Sequence, residues 1–188
     1  MKKRAGVKFG MIGGGIIALF YVILLWIKFN FLSYNPFVFY LGNFVSYLLI
    51  IASLAILGFQ YRLKLGGYAE IKDVFQPIFI AVIFSELAYL LFSYYYFNHV
   101  APDFFVHYEK AMLEFATAQK MPDEKIAAQV KMVQDQAVSS KDFWVLFKGV
   151  FLRWIVVDSI FGIIIAFLLR KRTPQQLMDR AMGKQQFN

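Results

Sequence analysis

Hydrophobic residues fall along this chain in four long blocks, roughly 9–27, 39–59, 77–97 and 145–169, with polar and charged residues gathered between them. About 20 helical residues at 1.5 Å each cross a hydrocarbon core of roughly 30 Å, so every block has the length of a membrane-spanning helix. The pattern predicts an all-α polytopic membrane protein with four transmembrane helices. The first connection, 30–38, is short and uncharged, and its Asn35-Pro36 turn signal pairs spans one and two as antiparallel neighbours. The second holds Gly66-Gly67-Tyr68 followed by Glu70-Ile71-Lys72-Asp73, which reads as a turn leading into a short interfacial helix.

Residues 98–142 form a connection of another kind, an extracytoplasmic amphipathic helical hairpin inserted between spans three and four. Pro102-Asp103 starts its first helix, along which Phe104, Phe105, Tyr108, Met112 and Phe115 recur at helical spacing. Pro122-Asp123-Glu124 starts the second, whose apolar stripe is Ile126, Val130, Val133 and Ala137. Neither stripe is stable in water alone. The two are expected to pack on each other and on the span ends, or to offer a docking surface or a flap on the headgroups. Residues 170–188 make a basic cytoplasmic tail, with a helix start at Thr173-Pro174, and Arg170-Lys171-Arg172 is expected to anchor at the membrane surface.

Composition sharpens this picture in three ways. The chain is 188 residues, 60% hydrophobic and 19% aromatic, which leaves room for one bundle and no second catalytic domain. The formal net charge of +8 is spread over span ends rather than gathered in a patch, so it predicts membrane topology and no nucleic-acid partner. Cysteine is absent, which excludes thiolate catalysis, disulfides and Cys-ligated metals. Lys2, Lys3, Arg4 and Lys8, then Arg62, Lys64 and Lys72, then Arg170, Lys171, Arg172, Arg180 and Lys184 share one side; the opposite side dilutes its Lys residues with acids. Positive residues stay inside, so both termini are expected in the cytoplasm of a bacterial inner membrane. The N-terminal basic cluster resembles that of a signal peptide. The apolar stretch after it is too long, however, and Trp26-Ile27-Lys28-Phe29 is no cleavage site, so an uncleaved first span is expected. Trp26, Phe31, Tyr34, Phe37, Tyr40, Tyr94, Tyr95, Tyr96 and Trp144 cluster at the outer boundary as an interfacial belt would.

Chemistry concentrates at two acids inside spans, Glu86 and Asp158. An ionisable group at mid-membrane nearly always faces a bundle interior or a wet cavity. Counted from Pro77 and Leu169, the two lie about 14 and 16 Å from the cytoplasmic face, at nearly equal depth. Glu86 continues into Tyr89, Ser93 and Tyr96 on one stripe; Asp158 shares its stripe with Gly162 and Ala166. Gly10, Gly14 and Ala18 on span one, and Gly42, Asn43, Ser46 and Ser53 on span two, complete four faces fit for close helix packing. Two carboxylates close together in low dielectric cannot both be ionised cheaply, which suits a proton carrier or a cation site. The rival is a structural polar network in which Arg153 pairs with one of the acids. Lys148 is expected to snorkel to the outer interface.

The remaining motifs are weaker. His99, Asp103 and His107 have helical metal-ligand spacing, but Pro102 interrupts the helix, so they are expected to be surface residues and no metal is expected. Gly10 to Gly15 lacks the preceding strand and following Lys-Ser or Lys-Thr of a phosphate loop. No nucleophile elbow and no His-Glu-x-x-His helix occurs, so neither catalysis nor a cofactor is expected.

The opening Lys2-Lys3 through Lys8-x-Gly10, the Arg62 and Gly66-Gly67 connection, Pro102-Asp103-Phe104, Pro122-Asp123-Glu124 and the closing Arg170-Lys171-Arg172 together resemble an uncharacterised family of small four-span membrane proteins of Bacteroidota. The resemblance covers nearly the whole chain. It implies the topology and an inner-membrane location, transfers no site, and by analogy alone suggests a companion of cell-envelope machinery. The expected function is therefore a non-enzymatic accessory or interaction subunit that lies in the bilayer and binds another membrane protein. The alternatives are a small carrier of protons, cations or an amphipathic solute using Glu86 and Asp158, and, behind it, a membrane-embedded enzyme acting on lipid.

Overall fold

A computed structural model describes residues 2–172 and 174; the expected helix start at Thr173 and the rest of the basic tail, Arg180 and Lys184 included, lie outside the described residues. Among the described residues four helices are long and apolar enough to cross a membrane, covering Ala5–Leu32, Pro36–Lys64, Ile71–Val100 and Phe143–Leu169. They comprise α1 (Lys2–Ile27), α2 (Pro36–Lys64), α3 (Ile71–Tyr95) and the pair α6 (Phe143–Leu146) and α7 (Leu152–Leu169). Single π-helical turns extend or interrupt three of the spans: Lys28–Leu32 after α1, Tyr96–Val100 after α3 and Phe147–Phe151 between α6 and α7. All three lie toward the same end of the bundle, opposite Lys2 and Lys171. That end also carries α4 (Phe104–Ala118) and α5 (Asp123–Lys141), which pack on each other. The two ends are termed here the insert end and the terminal end.

Local sequence explains the boundaries. The Asn35 side chain accepts hydrogen bonds from the Phe37 and Val38 amides at 3.0 and 3.3 Å, and Pro36 needs no partner at the first helical position, so α2 starts there. Asp142 caps α6 in the same way, accepting from the Trp144 and Val145 amides. At the terminal end, Gly66 and Gly67 both adopt φ of +84°, a conformation that costs glycine little, and they turn the chain sharply. Glu70 and Asp73 then form a reciprocal capping box that starts α3 directly. The short interfacial helix expected at Glu70–Asp73 is thus the first turn of α3 itself, because the capping box leaves no break between them. As a result Pro77 lies inside α3, which begins about 9 Å earlier, at Ile71.

The helix α3 is the hub. It packs against α1, α2 and α7, whereas α1 and α7, which scarcely touch each other, flank the α2–α3 pair. Close approach rests on small residues. A Cβ on Gly10 would stand 2.8 Å from Pro77 Cα, and one on Gly14 2.8 Å from Ala81 Cα. Gly162 of α7 faces Ile78 and Phe75, and Ala166 is fully buried. Gly42 meets Leu32, while Ala18 and Ser46 are half-buried. The terminal half of the core is apolar, built from Leu54, Leu57, Val74, Ile78, Ala81, Val82 and Ile165. The insert half is aromatic, with Phe29, Tyr96, Phe97, Phe104, Phe105 and Tyr108 packed with Met112 and Val133 of the hairpin. Outside, residues such as Ile16, Leu19, Phe44, Ile160 and Leu168 are exposed, a surface that hydrocarbon rather than water would cover.

Tyr96 departs from the expected aromatic belt. It is 2% exposed, because the π-turn that begins there swings its ring against Phe29, Phe92 and Phe97. Trp26, Phe31, Tyr34, Phe37, Tyr40, Tyr95 and Trp144 face outward, and Tyr94 is half-buried against Phe143.

Candidate functional site

The polar centre of the bundle is a pair of carboxyl groups from different helices. Glu86 of α3 and Asp158 of α7 are 5% and 4% exposed, and their carboxyl groups lie beside each other within interaction distance. Glu86 lies near the middle of its 30-residue span, so the pair is remote from both ends. The helices can bring the acids together because Gly162, one turn along α7 from Asp158, lets α7 settle on Phe75 and Ile78 of α3.

Hydroxyls from the other helices converge on the pair. The Tyr47 hydroxyl of α2 donates to Asp158 Oδ1 at 3.0 Å, and its ring is held between Trp154 and Phe161 of α7, with ring centres 5.9 and 6.0 Å away. Tyr89 stands one turn beyond Glu86 on α3, and Tyr21 of α1 stacks on it at 6.0 Å, within electrostatic reach of both acids. Each of the four spans thus supplies at least one polar side chain. Ser93, 1% exposed, lies next to the Tyr89 hydroxyl; its Oγ is sealed from solvent and makes no well-formed hydrogen bond.

Arg153 does not join the group. It lies exposed on α7, because five residues along a helix carry it roughly 140° round from Asp158. The polar network through Arg153 is therefore corrected: the groups against the pair are hydroxyls, and among the described residues no Lys, Arg or His stands beside it. Lys148 is exposed in the π-turn of span four. The other cation of note is Lys28, 7% exposed, whose ammonium sits 4.4 Å from the Phe29 ring centre and 5.3 Å from that of Phe39.

At the terminal end, Arg170 lies over Phe167 and Lys171 over Tyr68. Lys171 also exchanges two backbone hydrogen bonds with Ala69, at 3.0 and 3.1 Å, while Arg62 donates to the Leu169 carbonyl at 3.3 Å. The basic cluster thereby ties the end of α7 to the α2–α3 connection, with Arg172 half-buried beside it. At the insert end, Asp103 and His107 line an open groove of about 620 Å³ between α4 and the end of span one, whereas His99 packs on Tyr95. Among the described residues no three His, Asp or Glu side chains are grouped to hold a metal ion. Burial pushes the Tyr108 hydroxyl above its ordinary range, which keeps it protonated.

Residues 8–171 match the family model described as protein of unknown function DUF4199. The chain belongs to that family. No curated protein and no solved structure matches it. Membership in DUF4199 carries no activity with it, so function has to be argued from the carboxyl pair and its surroundings.

Two members of that group, Tyr21 and Tyr47, were missed by sequence reasoning. Their signal was present: Tyr21 continues the Gly10, Gly14, Ala18 stripe by one turn, and Tyr47 follows Asn43 at a spacing of four.

Proposed function

We propose that this chain is a non-enzymatic carrier of the bacterial inner membrane that binds protons or cations at Glu86 and Asp158, with both termini in the cytoplasm. The observation that carries the reading is the burial of two acids beside each other on different spans, with a tyrosine hydroxyl on one of them and, among the described residues, no basic side chain against them. A charged residue at mid-membrane costs about 2.5–3.5 kcal/mol even on insertion scales. Two acids held there without a basic partner are neutralised by what they bind, and a proton or a cation is what carboxyl and hydroxyl oxygens take. Orientation follows from the excess of Lys and Arg at the terminal end. The test is ion flux in proteoliposomes of the purified protein. Glu86→Gln and Asp158→Asn each abolish flux while circular dichroism keeps its helical form; flux equal to wild type in both variants, or wild-type flux no greater than that of empty vesicles, overturns the reading.

A second reading, an accessory subunit bound to another membrane protein, has its own support. Val106, Met132 and Val138 are 68, 54 and 75% exposed on the helical insert, apart from the four apolar helices. Apolar side chains there suit a protein partner. Affinity purification from native membranes in mild detergent tests it: a stoichiometric membrane partner supports it, and a solitary protein removes it.

A further inference from the structure

The carboxyl pair is walled off along the bundle and thinly covered to one side. Toward the terminal end the buried positions of α3 are Val82, Ala81, Ile78 and Val74, each no more than 1% exposed. Toward the insert end Leu25 and Phe29 of span one close the interior against Tyr96 and Phe97. Sideways, the cover over Asp158 is a single ring. Tyr47 of α2 is half-buried and reaches across the α2–α7 seam to Asp158 Oδ1, 3.0 Å away. Its ring lies between Trp154 and Phe161 of α7, which are 41 and 36% exposed. The helix α7 packs chiefly on α3 and more lightly on α2, so this seam is the looser of the two. All three aromatics lie more than about 10 Å from the ends of their spans, away from any interfacial belt, and the outer side of the seam faces hydrocarbon.

We propose that a lipid-soluble amine reaches the carboxyl pair sideways from the bilayer, between α2 and α7, with Tyr47 as the gate. The proposal rests on the carboxyl pair being the working site. The route selects the ligand. A metal cation gives up its water only at great cost and does not dissolve in hydrocarbon, whereas an amine with an apolar body dissolves there in its neutral form. Swinging the Tyr47 ring outward uncovers Asp158 and frees the oxygen that its hydroxyl occupied. The amine nitrogen then takes the proton of a carboxyl of the pair. An N–H bond forms as the O–H bond breaks, the amine becomes an ammonium and the carboxyl a carboxylate, and the site gains no net charge. The ammonium donates to the carboxylate, and the faces of Tyr47, Trp154 and Phe161 suit both a cation and the apolar body that carries it. A basic side chain at the pair would compete for this place, and the nearest candidate on α7, Arg153, lies exposed elsewhere on the helix.

The test is carboxyl labelling of the purified full chain in lipid vesicles, read by mass spectrometry at Asp158. Dicyclohexylcarbodiimide dissolves in hydrocarbon and adds to a protonated carboxyl: the oxygen bonds to the central carbon, the proton passes to a nitrogen, and the adduct rearranges to a stable N-acylurea. A carbodiimide bearing a quaternary ammonium group stays in water. The apolar reagent labels Asp158 at least roughly tenfold faster than the quaternary one, because a fixed charge is costly in hydrocarbon. Adamantan-1-amine slows the labelling, and sodium or potassium at the same concentration does not. Tyr47→Ala speeds it roughly threefold or more, since no interhelical hydrogen bond then holds the gate shut. The wild-type comparisons stand even where that variant fails to fold. Labelling as fast with the quaternary reagent, no labelling by the apolar one, or no protection by adamantan-1-amine overturns the proposal. If Glu86→Gln and Asp158→Asn still abolish ion flux, the pair then remains an ion site reached from water. Flux equal to wild type in both variants removes the pair as the working site, and the amine with it.

Discussion

Replacing Gly10 by Ala adds one methyl group at the tightest part of the α1–α3 seam. That methyl would stand 2.8 Å from Pro77 Cα, 2.9 Å from Pro77 O and 3.1 Å from Ile80 Cβ. Carbon atoms pack at about 3.5–4.0 Å, so α1 has to withdraw by most of an ångström. The obstacle is backbone, which cannot rotate aside as a side-chain tip does. A radial gap of 0.5–1 Å forfeits roughly a quarter to a half of each dispersion contact along the seam. Overpacking of this kind costs about 1–3 kcal/mol. For a chain of this size each kcal/mol moves the unfolding midpoint by about 2–4 °C, so Gly10→Ala lowers Tm by roughly 2–12 °C. The control is Gly15→Ala, because a Cβ there meets nothing within 4 Å, and it gains only the roughly 0.5–1 kcal/mol by which Ala is favoured over Gly inside a helix. The assay is thermal unfolding in mild detergent, read by loss of the monodisperse chromatographic peak. Equal Tm values for the Gly10 and Gly15 variants would refute the reasoning, since the seam would then have no close contact to lose.

Tyr47→Phe removes the hydroxyl that donates to Asp158 while keeping the ring between Trp154 and Phe161, so it lowers stability by about 0.6–1.7 kcal/mol, the range of interhelical hydrogen bonds in membranes; a variant as stable as wild type in the same thermal assay contradicts the bond. Arg153→Ala leaves both stability, to within about 0.5 kcal/mol, and ion flux unchanged, because the side chain is exposed away from the carboxyl pair; loss of flux on this substitution restores the polar network that the fold removes.

Much of the architecture was legible in sequence because a bilayer acts as a solvent on each segment by itself. A spanning segment has to satisfy its own backbone, so length and apolarity suffice to mark a helix, and the four blocks mark all four. The hairpin was legible from Pro102, Pro122 and two apolar stripes for the same local reason. Glu86 and Asp158 stood out because an acid in hydrocarbon is costly wherever its helix sits. Tertiary structure alone decided which way those residues face. Both sides of each span are apolar, one against lipid and one against protein, so periodicity barely separates inside from outside. The order of helices is set instead by where backbones can touch, at Gly10 on Pro77, Gly14 on Ala81 and Gly162 on Ile78. That choice turned Asp158 onto Glu86, brought in Tyr47 and Tyr21, left Arg153 outside and tied Lys171 to Ala69. Each of these depends on contacts between residues far apart in the chain, and only packing selects among them.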